Sequence, residues 1–196
     1  MAQEMAAFER PSGIPAATRL EARALEMTGA PALRRAHMLA RAGRLWLMSG
    51  EAAYALTAQT EGLALAPNHV GLLVDRGISL IFLGRYWEAL DDFYRALDLE
   101  PDNLEALVFR ADIYRELGAL DLAEDDLDRV LEFEPGHVDA LYERGEVRLA
   151  RGDAAGGRAD WARVVSLAPD APSAGAARAR LQELEDSARV AGQSAE

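Results

Sequence analysis

The sequence predicts an all-α fold in which helix hairpins of one kind stack into a solenoid. Three observations carry this. Pro67, Pro101, Pro135 and Pro169 are spaced 34 residues apart, so half of the eight prolines lie on one ruler. A fixed period of this length marks an array of structural repeats. Aligned on those prolines, the chain gives four units, 36–69, 70–103, 104–137 and 138–171. Their position 4 is always leucine (Leu39, Leu73, Leu107, Leu141) and their position 15 always glycine (Gly50, Gly84, Gly118, Gly152). In the clearest unit, residues 70–82 and 86–98 each carry apolar residues at helical spacing.

The elements follow in order. Residues 16–28 form a helix with Leu20, Ala24 and Met27 on one face, stopped by Gly29 and Pro31. It lacks a first helix of its own, and residues 16–35 read as a packing helix or degenerate half repeat. Residues 32–48 form the first helix of unit one, which starts at Pro31, a residue suited to a helix entrance. Within each unit, the position-15 glycine takes the turn between the two helices, and the position-32 proline ends the second helix. Position 8 (Gly43, Gly77, Ala111, Gly145) and position 20 (Ala55, Ala89, Ala123, Gly157) are small, which lets two antiparallel helices approach closely. One hairpin cannot bury its apolar faces alone, so hairpins stack on their neighbours. Residues 172–190, with Ala177, Leu181, Leu184 and Val190 as apolar positions, form a capping helix. Residues 1–15 and 191–196 are expected to be loose termini.

The period of 34, the small residues at 8 and 20, the large residue at 24 (Phe93, Leu127, Trp161) and the proline at 32 resemble the tetratricopeptide repeat (TPR) family. Unit one departs at position 24, where it has Gln59. The resemblance implies a right-handed superhelical solenoid whose first helices line a concave groove. It also implies a non-enzymatic adaptor or scaffold that binds proteins. The alternative is a self-assembling element that stacks or dimerises through Trp46, Tyr86, Trp87 or the C-terminal helix.

Charge narrows the partners. The net charge is −12, and it is placed unevenly. Residues 1–69 hold six acids and seven arginines, whereas residues 70–171 hold 23 acids and 11 arginines. Such a surface is wrong for nucleic acid, whose phosphates need basic groups, and favours basic partners at long range. All 21 basic residues are arginine, which points to GC-rich codon composition or to a functional preference for guanidinium groups. No apolar run reaches membrane-span length. Without cysteine there is no disulfide framework. The start at Met1 fits a cytoplasmic protein, or a periplasmic one whose export signal was removed before Met1. The expected state is a monomer or weak homodimer that binds a protein or peptide.

Two patterns within the repeats carry the chemistry. Position 7 is Arg76, Arg110 and Arg144 in units two to four and Ala42 in unit one. Position 23 is Asp92, Asp126 and Asp160 in the same three units and Ala58 in unit one. Arginine and aspartate appear and vanish together, which predicts structural salt bridges between the two helices of each hairpin or of adjacent hairpins. The second pattern is the open side of the first helices. Mapped by the family's positions, the groove would present Arg41 and Arg44 in unit one, and Val74, Ile78 and Phe82 in unit two. Unit three would add Val108, Phe109, Asp112 and Glu116, and unit four Tyr142, Glu143 and Glu146. This is a gradient from basic through apolar to acidic, suited to a segment with apolar anchors and basic residues, unless a terminal helix folds back over it or some of its residues pack on the adjacent repeat. The clamp with which some family members grip a chaperone's C-terminal carboxylate is absent. Ala40, Arg44, Asp75, Glu105 and Phe109 stand at its positions.

No catalytic, metal or cofactor site is expected. His69 and His137 share position 34, the turn between units, and His37 stands apart. There is no phosphate-binding glycine loop and no serine with a histidine and an acid beside it. The repeated acids, Asp91–Asp92 and Asp125–Asp126, recur with the fold and belong to it.

Overall fold

In the computed structural model, which describes residues 15–193, the described chain is ten α-helices without a strand. The expectations for residues 1–14 and 194–196 lie outside the described residues. Helices α1 (Pro15–Glu26), α2 (Ala32–Met48), α3 (Ala52–Leu65), α4 (Val70–Phe82) and α5 (Tyr86–Leu99) belong to one compact body, Met1–Glu100. Helices α6 (Leu104–Glu116), α7 (Leu120–Phe133), α8 (Val138–Ala150), α9 (Ala154–Leu167) and α10 (Pro172–Gln193) belong to a second, Pro101–Glu196. In each body the helices pack pairwise in chain order, α1 to α4 and α4 on α5, then α6 to α10. First helices also touch first helices, α2 on α4 and α6 on α8. This is an all-α repeat fold.

The recurring residues explain the recurring hairpin. Gly50, Gly84, Gly118 and Gly152 all have φ between 70° and 88°, the left-handed region that costs a side chain steric strain. Position 8 is small because the position-24 side chain lies across it. A Cβ on Gly77 would meet the Phe93 ring at 2.6 Å, and one on Gly145 the Trp161 indole at 2.4 Å. Both aromatic side chains are fully buried, so the missing methyl is what lets the ring into the hairpin. Position 34 has a capping role. The side chains of His69, Asn103 and His137 accept hydrogen bonds from the backbone N–H groups of Leu72, Ala106 and Ala140 at the entrance of the next helix.

The flanking helices differ from their expected faces. In α1 the buried positions are Ala17, Glu21 and Ala24; Leu20 is only half-buried. Glu21 is drawn inside because it accepts a hydrogen bond of 2.9 Å from the indole Nε1–H of Trp46. Trp46 is itself fully buried, which removes it from any self-assembly face, whereas Trp87 is 71% exposed. In α10, Ala174 and Ala177 are buried against the preceding helices. The helix runs past the expected end at 190, and Val190, expected on the apolar face, is 63% exposed.

Candidate functional site

The position-7 arginines and position-23 aspartates meet in each hairpin that has them. Arg76 donates to Asp92 through Nε and Nη2 at 2.7 and 2.6 Å. Arg110 meets Asp126 at 2.8 and 2.7 Å, and Arg144 meets Asp160 at 2.9 and 2.7 Å, each through the same two nitrogens. The carboxylates are buried and the guanidiniums half-buried. Two parallel bonds per pair fix the register of the two helices. Asp160 also accepts from Arg148 at 2.8 Å, so the last pair is part of a wider network.

With those arginines turned into the hairpins, the open chemistry lies on the first helices. In the C-terminal body a cavity of about 480 Å³ lies between α6 and α8. Val108, Phe109 and Tyr142 supply its apolar surface; Glu105, Asp112, Asp139 and Glu143 supply carboxylates, and His137 closes one end. Arg115 lies beside it, donating to Asp112 at 2.7 Å and to Glu143 at 3.3 Å. Burial, then the charge of Asp112, pushes the Glu143 carboxyl up to about 7, and Arg115 only partly offsets them. Burial, followed by Glu146, raises the Tyr142 phenol.

The corresponding face of the N-terminal body, α2 against α4, is closed by an ion pair. Arg44 Nε donates to both carboxylate oxygens of Asp75, at 2.7 and 3.1 Å. Asp75 is buried, and burial pushes its carboxyl up against the pull of Arg44. The His37 and His69 rings stand edge to face, 5.1 Å between centroids. Burial and then His37 hold the His69 imidazole below its ordinary value. Among the described residues no cluster of three or more His, Cys, Asp or Glu is arranged to hold a metal. No described helix is long and apolar enough to cross a membrane.

The expected groove residues therefore divide. Val108, Phe109, Asp112, Tyr142 and Glu143 come together around one cavity. Val74 is 1% exposed and belongs to the core, because α4 is buried over more of its circumference than position counting implies. Ile78 is half-buried on α4, and Phe82, 73% exposed, is its last residue. Arg41 points to α1 rather than α4 and lines a different cleft, with Arg19 and Leu45. Glu116 pairs with Arg115 at 2.8 Å on the surface. Glu146 is taken by α10: Arg180 donates to its two oxygens at 2.8 and 2.5 Å. Asp139 and Glu105 also line the α6–α8 cavity; both stand at position 2 of their units, a position the repeat mapping places on the open side of the first helix.

Similarity to known proteins agrees with this architecture. The family profile described as "Tetratricopeptide repeat" matches residues 74–137 and 121–172, together half of the chain. No curated protein is similar enough to count as a relative. Among solved structures, a tetratricopeptide repeat protein from Parabacteroides merdae superposes with a TM-score of 0.72 at 24% identity, over 87% of this chain and 66% of that one. A thermophilic TPR protein of Thermus thermophilus gives 0.71 at 21% identity, over 85% and 89%. YrrB, described as a TPR protein with an unusual peptide-binding site, gives 0.65 at 22% identity, over 84% and 86%. At these identities the likeness is one of fold.

Proposed function

Because the chain belongs to the tetratricopeptide repeat family, we propose that it is a non-enzymatic protein-interaction module whose α6–α8 cavity holds a partner segment with an apolar anchor and basic residues. The observation that carries this reading is the composition of that cavity. Its apolar surface is Val108, Phe109 and Tyr142, and four carboxylates stand around it, two of which, Asp112 and Glu143, share Arg115. A volume of about 480 Å³ admits a few side chains, not a folded domain. An apolar anchor gains by leaving water, and an arginine or lysine beside it meets Glu105, Asp139 or Glu143. The same carboxylates would repel a chain-terminal carboxylate, so an internal segment fits better than a C-terminal tail. The peptide-binding description of YrrB adds a precedent within this fold.

The reading is tested by selecting a random dodecapeptide library, displayed on phage, against the immobilised full chain. Clones that lose binding to Phe109→Glu are expected to combine an aromatic or aliphatic residue with arginine or lysine. Labelled peptides from those clones should bind the variant at least tenfold more weakly in fluorescence anisotropy, with circular dichroism unchanged. If selected peptides bind Phe109→Glu as well as the parent, the site lies elsewhere.

A further inference from the structure

A second surface, in the N-terminal body, has the opposite chemistry. Residues 15–48 contain six arginines against two glutamates, in a chain whose net charge is −12. One of those glutamates, Glu21, is buried beneath Trp46. Two of the arginines are occupied: Arg35 donates to the Ala24 carbonyl at 2.7 Å and Arg44 to Asp75. Arg19, Arg23 and Arg41 are exposed and make no ion pair among the described residues. From Arg44 onwards every described arginine is ion-paired with an acid or bonded to a backbone carbonyl, as Arg158 is paired with Glu185 and Arg163 is bonded to Pro135. Arg34 is also exposed without an ion pair but lies apart; Arg19, Arg23 and Arg41 share a cleft of about 780 Å³ between α1 and α2, with Leu20 and Leu45 on its wall and Glu26 as an acid in its lining.

We propose that the α1–α2 cleft is a second docking surface, which binds an acidic, leucine-bearing segment of a partner protein. Arg19 and Arg23 stand one helical turn apart, about 6 Å along the axis. Carboxylates at i and i+4 of a helix, or at i and i+2 of an extended segment, match that interval. Each can be held by the forked donors of a guanidinium, while Arg41 meets the segment from α2. Leu20 and Leu45 give an aliphatic anchor a place to leave water. Apolar walls favour a peptide over a nucleic-acid strand, and a concave cleft meets a flat anionic bilayer only at its rim. A second copy brings another net charge of −12, and like-charged chains repel at long range.

The same peptide selection on the full chain tests this independently of the α6–α8 cavity. A class of clones is expected to bind the parent and Phe109→Glu alike, and to fail on Arg19→Glu/Arg23→Glu/Arg41→Glu. Those clones should carry aspartate or glutamate beside leucine or another aliphatic residue. Labelled versions should bind the reversed chain about tenfold or more weakly, and the parent more weakly as salt is raised from 50 to 300 mM. If the reversed chain loses helicity by circular dichroism, Arg19→Gln/Arg23→Gln/Arg41→Gln provides the same comparison without added acids. Absence of any arginine-dependent clone overturns the proposal, as does a class without acidic residues. A dimer in sedimentation equilibrium that the reversed chain does not form also overturns it, because the cleft would then belong to a second copy. Loss of the basic, Phe109-dependent clones alone would leave this proposal standing and remove only the preceding one.

Discussion

Two hairpins of the N-terminal body follow one 34-residue plan and are held together differently. In α4–α5, Arg76 and Asp92 join the helices by two hydrogen bonds, and Phe93 fills the space over Gly77. In α2–α3 the ion pair is replaced by Ala42 and Ala58, both fully buried, and the aromatic ring by Gln59. Gln59 lies over Gly43 as Phe93 lies over Gly77, and its Oε1 accepts from Ser79 Oγ at 2.7 Å. Its Nε2 is buried without a partner. The comparison teaches that the Arg–Asp pair is one device with two halves. Replacing both halves by alanine leaves no charge stranded, whereas an orphaned carboxylate or guanidinium bears its full desolvation cost.

The largest expected effect follows directly. Asp92→Ala leaves Arg76 half-buried without its acid and should cost about 3 kcal/mol, the lower end for breaking a buried pair because Arg76 keeps some contact with water. The double variant Arg76→Ala/Asp92→Ala recreates the Ala42–Ala58 pattern and should cost less than Asp92→Ala alone. Urea unfolding of the three chains, read as a double-mutant cycle, measures this. Additive costs in that cycle would mean that the two residues do not act as a pair.

The second effect is smaller and opposite in sign. Gln59→Leu removes a buried amide nitrogen that has no acceptor and keeps a side chain of similar volume over Gly43. A gain of about 1 kcal/mol is expected, visible as slower hydrogen exchange in α2 and α3. Without Gln59, the single Ser79 hydroxyl proton turns to the Asp75 carbonyl 3.2 Å away, so the hydroxyl is not stranded. Unchanged or faster exchange would mean that Gln59 is better satisfied than its surroundings indicate.

The legibility of the sequence divides along the same line. What recurs every 34 residues could be read: the helix pairs, the glycine turns and the repeated Arg and Asp positions that the structure brings within hydrogen-bonding distance. The period gave no access to contacts between non-equivalent positions. Arg44 reaches across 31 residues to Asp75, and Arg180 of the last helix takes Glu146, so two presumed groove residues are already engaged. Val74 looked like a groove residue by position and is core, because α4 is packed on both α3 and α5 as well as against α2. The α1–α2 cleft was out of reach for a related reason. Helix α1 is off the ruler, so no positional argument puts Arg19 and Arg23 beside Arg41.

A third effect, which depends on pH, separates the two first-helix faces. On α2–α4 one carboxylate, Asp75, has an arginine to itself; on α6–α8, Asp112 and Glu143 share Arg115. Burial and Asp112 therefore leave the Glu143 carboxyl titrating at about 7, against an ordinary value of 4.5. Between those values the folded chain holds a proton that the unfolded chain has released. Glu143 thus lowers stability as pH rises from 4.5 towards 7, by no more than about 1.4 kcal/mol per pH unit. Glu143→Gln should flatten the stability profile over that window relative to the parent, while Asp75 contributes equally to both chains and cancels. Binding should show the reverse sense. An arginine-bearing peptide in the α6–α8 cavity gains a carboxylate as Glu143 ionises, so its affinity should rise between pH 6 and 8 in the parent and stay level in Glu143→Gln. Equal pH slopes in the two chains, in unfolding and in peptide binding, would show that Glu143 is ionised well below neutrality and that Arg115 serves both acids.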